Sequence, residues 1–128
     1  MAAAPSRTRL LGGLVLWFAV LGGAVAWGLH LLAAWATDEL ACLAGHEEIS
    51  GAPLALVITL MVVVPGALAV AALVTSWIAW RRTRTAADGV SLDRTRMLAV
   101  VGFSANLLFV AIILFDAVAV VVIPQCAS

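Results

Sequence analysis

The chain has 128 residues, 65% of them apolar and 11% charged, with a mean hydropathy of +1.16. Soluble domains run nearer ~45–50% apolar and ~25% charged, so this composition excludes a water-soluble globule and belongs in lipid. The formal charge is zero and all seven basic residues are arginine, so information lies in where the charges fall rather than in their sum.

Three apolar runs, Leu10–Ala36, Pro53–Trp80 and Met97–Ile123, contain no Lys, Arg or Glu. Each exceeds the ~20 helical residues needed to cross a ~30 Å hydrocarbon core. None alternates polar and apolar as a barrel strand must, so the expected fold is an all-α membrane protein of three transmembrane helices. Residues 1–128 form a single domain on this reading, with loops at 37–52 and 81–96.

The first run follows Arg7 and Arg9, and Leu10–Val20 with Ala24-Val25-Ala26 has the outline of a secretory signal. Its hydrophobicity continues to Ala36, longer than a signal core, which favours an uncleaved span. Gly13, Leu16, Val20, Gly23, Trp27, His30 and Ala34 recur at spacings of three and four, a seam on one helix face with Gly23 permitting close approach. Trp35 marks an interface, whereas Trp17 is too deep for an aromatic belt and is expected to pack between helices.

The loop 37–52 carries Asp38, Glu39, Glu47 and Glu48 and no basic residue. Together with Cys42 and His46 these could supply metal ligands, but a solvated acidic loop is the simpler reading and no metal is assigned. In the second run Pro53 suits a first helical turn. Ala55, Ile58, Val62, Pro65, Ala69, Ala72, Ser76 and Ala79 make a stripe of mostly small residues, and Pro65 predicts a kink. Trp77 and Trp80 adjoin Arg81 at the other interface.

Arg81, Arg82, Arg84, Arg94 and Arg96 fall between the second and third runs, on the same side as Arg7 and Arg9. The positive-inside rule makes that side cytoplasmic, giving an N-in/C-out protein of the bacterial inner membrane. The arginines act as topology determinants that also suit anionic lipid, not nucleic acid. Asp88-Gly89 reads as a turn and Asp93 as the N-cap of the third helix. That helix has its own seam of Gly102, Asn106, Phe109, Ile113, Asp116 and Val120.

His30 lies about 10 Å, and Asp116 about 12 Å, from the outer boundary at 1.5 Å per residue. The first and third helices run parallel, so the imidazole and the carboxylate are expected to meet, as a structural clasp or a proton site. An ionised Asp in lipid costs about 2.5–3.5 kcal/mol, which burial against a partner or protonation relieves. Asn106 reads as an interhelical hydrogen-bonding residue. A b-haem needs two axial ligands inside the bundle, and neither Met61 nor Met97 shares the depth of His30, so no cofactor is assigned. Cys42 and Cys126 both lie on the outer side, where an oxidising compartment favours a disulfide.

Trp27-Gly28-Leu29-His30, followed by Trp35, Glu39 and Cys42, resembles a segment of small bacterial three-helix membrane proteins that accompany caa3-type cytochrome c oxidases. Such proteins carry W-x-x-H, an aromatic residue a few positions on, then an outer cysteine. The resemblance implies an accessory or assembly role beside a respiratory haem–copper oxidase. No nucleophile elbow, phosphate loop or zinc-protease motif occurs, so a non-catalytic subunit is the leading expectation. The alternatives are a homo-oligomeric proton-coupled carrier using His30 and Asp116, or a membrane thiol oxidoreductase using Cys42 and Cys126.

Overall fold

A computed structural model describes residues 7–45, 48–49, 51–85 and 90–123. Its elements are α1 (Arg7–Ala44), β1 (Glu48–Ile49), β2 (Ala52–Pro53), α2 (Leu54–Arg84) and α3 (Val90–Val122). The three helices are long and apolar enough to cross a membrane. The strands form a minimal antiparallel pair, Glu48 opposite Pro53 and Ile49 opposite Ala52, with Gly51 at φ +82° beside the turn. Each helix packs against both others. Ala41 of α1 groups with Leu54 and Ile58 of α2 at one end, and Ser76 and Asn106 meet near Ala19 toward the other, so α2 runs antiparallel to α1 and α3.

The interior is built of small side chains and the exterior of large ones. Among the described residues, six of the ten buried apolar side chains are alanines, at positions 19, 26, 41, 69, 72 and 99, while Leu14, Leu32 and Phe115 are at least 66% exposed. Water as solvent would drive the large groups inward. Lipid removes that drive and leaves close backbone packing as the organising force, which small residues permit. Threonines of α2 are satisfied locally: the hydroxyls of Thr59, Thr75 and Thr83 donate to the carbonyls of Ala55, Ala71 and Ala79.

The α2 stripe is buried at Ile58, Val62, Pro65, Ala69, Ala72 and Ser76, with Leu54 in place of the exposed Ala55 at its N-terminal end. In α1 the buried line is Ala19, Gly23, Ala26, His30 and Ala41, and Gly13 is exposed. Trp17 does not pack between helices. It is 65% exposed, because it lies off the buried line and an indole facing lipid incurs no penalty.

The helices outrun the expected spans. Residues 37–44, expected in a loop, continue α1, since Leu40, Ala41, Leu43 and Ala44 favour helix and Ala41 is buried against α2. Gly45 ends it at φ +65°, its N–H donating to the Cys42 carbonyl. Pro53 stands outside α2 as its extended N-cap, φ −61° and ψ 138°, rather than in the first turn. Residues 81–84 belong to α2, and α3 begins at Val90, so Asp93 lies in its first turn as a dipole partner instead of capping it. Asp88, Gly89, His46, Glu47 and Cys126 lie outside the described residues.

Candidate functional site

Two polar ties, one above the other, each join all three helices. The first tie, nearer the Gly45 end of α1, begins with a missing donor. Pro65 has no N–H, so the carbonyl of Met61, four residues earlier, lacks its helical partner. His30 of α1, 2% exposed, fills the gap: its Nδ1 lies 2.9 Å from the Met61 oxygen. A carbonyl only accepts, so Nδ1 carries hydrogen and donates.

The other imidazole nitrogen, Nε2, faces Oδ2 of Asp116 on α3 at 3.4 Å. That oxygen is buried and has no hydrogen-bond partner among the described residues, so the approach is an ion-pair contact rather than a formed hydrogen bond. With Nδ1 committed to Met61, a neutral imidazole turns a lone pair toward the carboxyl. A proton between Nε2 and Oδ2 would turn the approach into a hydrogen bond. The Asp116 side chain is 39% exposed while that of His30 is 3%, so the carboxyl forms the rim of the site.

The second tie, nearer the arginines, centres on Asn106 of α3, which is fully buried. Its Oδ1 accepts from the Gly23 N–H at 3.0 Å, and its Nδ2 donates to the Ala19 carbonyl at 2.6 Å. The carboxamide thus lies alongside one turn of α1 and engages both ends of an i, i+4 backbone pair. Nδ2 also reaches Oγ of Ser76 on α2 at 3.5 Å, and that hydroxyl donates to the Leu73 carbonyl. Glycine is required opposite: a Cβ at Gly23 would collide with the Asn106 carboxamide, and one at Gly102 would lie 2.7 Å from the Ala19 oxygen.

Between the ties, Trp27 sits half-buried with its ring 5.6 Å from that of Phe109, and its Nε1 has no partner among the described residues. At the arginine end Trp77, Trp80 and Phe103 cluster with centroids 5.3–6.1 Å apart. Arg81 lies 6.0 Å from the Trp77 ring and Arg84 5.0 Å from the Trp80 ring. Arg82, Arg94 and Arg96 are exposed.

Cys42 is on the last turns of α1, its Sγ 3.7 Å from Oδ1 of Asp38. No three His, Cys, Asp or Glu residues gather to hold a metal among the described residues. The structure therefore brings His30 to Asp116, and Gly23 to Asn106. Sequence reasoning missed the Met61 carbonyl, although a proline four residues downstream signals such an orphan, and it missed Ser76 as a partner of Asn106. No protein-family model matches the chain, and no curated protein or solved structure proves similar to it.

Proposed function

We propose that this chain is a non-catalytic accessory subunit or assembly partner of a larger complex in the bacterial inner membrane, and that the complex is a respiratory haem–copper oxidase. The observation that carries the reading is the rim of the His30–Met61–Asp116 tie. A carboxyl with 39% of its side chain exposed is left on a membrane helix. Lipid offers it no hydrogen bond, and a neighbouring polypeptide does. The oxidase as partner rests on the resemblance of residues 27–42. The orientation, N-terminus inside and C-terminus outside, rests on all seven arginines lying at one end of the bundle. A bend of α2 at Pro65 and a Cys42–Cys126 bridge on the outer side belong to the same proposal.

Purification of a tagged copy in mild detergent, followed by mass spectrometry and a haem spectrum, tests it. A haem-bearing complex is expected with the native chain and is lost with Asp116→Leu. A stable isolated monomer with no partner overturns the reading. A second reading, a homo-oligomeric proton-coupled carrier, draws on the approach of the His30 imidazole to the Asp116 carboxyl. It requires proton flux in liposomes that Asp116→Asn abolishes.

A further inference from the structure

At the arginine end, α1 and α3 part to leave a wedge-shaped cleft of ≈ 280 Å³, lined by Leu16, Trp17, Val20 and Leu98 with Arg94 and Thr95 at its mouth. The wedge follows from the packing. The helices are in backbone contact where Gly102 meets Ala19 and Val20, and a Cβ at Gly12 or Gly13, further toward the arginines, meets nothing within 4 Å. We propose that this cleft binds one anionic phospholipid, its phosphate on Arg94 and an acyl chain against the apolar walls.

Three observations select that occupant. The walls are apolar, and the exposed Trp17 lines the slot below headgroup level, where an acyl chain would lie. Arg94 supplies the positive charge of the lining, and Arg7 and Arg9 lie in the first turn of α1, the helix that forms the facing wall. Arg94 makes no ion pair with any described residue, whereas Arg81 and Arg84 at the same end lie over Trp77 and Trp80. A guanidinium matches phosphate bidentately, and an apolar slot directly beneath it accommodates the chain that a headgroup carries. A water-soluble anion would have no use for the slot, and a neutral lipid none for the arginine. The inference rests on the membrane character of the helices and not on the accessory-subunit reading, so either can fail alone.

The test is native mass spectrometry of the full chain released from nanodiscs containing equal phosphatidylglycerol and phosphatidylcholine. One phosphatidylglycerol is expected to be retained in preference. Arg94→Gln, at an exposed position, lowers its retention about fivefold, the effect of one juxtamembrane cation, while phosphatidylcholine is unaffected. Arg96→Gln, which projects from another face of α3, lowers it by much less. Val20→Trp fills the slot and removes the lipid with helix content unchanged. Equal retention of the two lipids, or indifference to Arg94→Gln, overturns the proposal. So does a photo-crosslinker at position 17 that captures a protein instead of lipid in native membranes.

Discussion

The link between His30 and Pro65 makes a quantitative prediction. His30→Leu removes the donor that serves the Met61 carbonyl and also strips Asp116 of its contact. Pro65→Ala restores an N–H one turn beyond Met61, so in that background the carbonyl is satisfied within α2 and only the Asp116 loss remains. The difference between the cost of His30→Leu with proline and with alanine at position 65 therefore isolates the carbonyl. An unsatisfied buried acceptor costs about 1–3 kcal/mol, and interhelical hydrogen bonds in membranes average about 0.6 with a maximum near 1.7. A coupling of about 1 kcal/mol is expected, roughly a fivefold change in the unfolding equilibrium. It is measured by reversible unfolding in mixed micelles, following helix content through a four-protein cycle. If His30→Leu costs the same in both backgrounds, the imidazole does not substitute for the missing proline donor, and the reasoning fails.

Gly23→Ala and Gly102→Ala each force α1 and α3 apart and should destabilise by about 1–3 kcal/mol in the same assay, the range for overpacking. Gly12→Ala, which meets no neighbour within 4 Å, should be neutral or slightly stabilising. Asn106→Leu removes three hydrogen bonds and leaves the Ser76 hydroxyl to Leu73 alone. A loss of about 1–3 kcal/mol is expected, less than the sum of the bonds, because the Gly23 N–H retains its helical partner. Asp116→Asn, whose amide can donate to Nε2 of a neutral His30, should be better tolerated than Asp116→Leu when the two are compared by thermal unfolding. Intact mass under non-reducing conditions should be 2 Da below that of the reduced chain if Cys42 and Cys126 are bridged (a mass difference of about two hydrogens,).

The spans were legible because membrane helices are constrained by length and apolarity alone, and both can be read from Leu10–Ala36, Pro53–Trp80 and Met97–Ile123. The polar positions were legible too, since spacing at three and four puts His30 on one seam and Asp116 on another at similar depth. What each polar group does was not. That Nδ1 turns to Met61 depends on a backbone vacancy created by a residue on a different helix, and a seam read one helix at a time does not register it. Helix ends were misplaced because apolarity marks the membrane and not the helix: residues 37–44 lie beyond the hydrophobic run yet keep helical hydrogen bonds. Trp17 was misjudged by the soluble-protein intuition that a large aromatic away from an interface seeks cover.

The two ties differ in when they can form during synthesis. His30 and Met61 belong to the first two helices, so their connection can close in a hairpin before the last third of the chain has left the ribosome. Asn106 arrives only with α3, and it grips a turn of α1 and a hydroxyl of α2 at once. Insertion is thereby given a direction: an early pair held at its far end, then a final segment that zips against both and cannot dock until they are together. A truncation after residue 85 should leave a hairpin able to persist in the bilayer, whereas α3 by itself would carry an amide and a carboxyl with nowhere to turn.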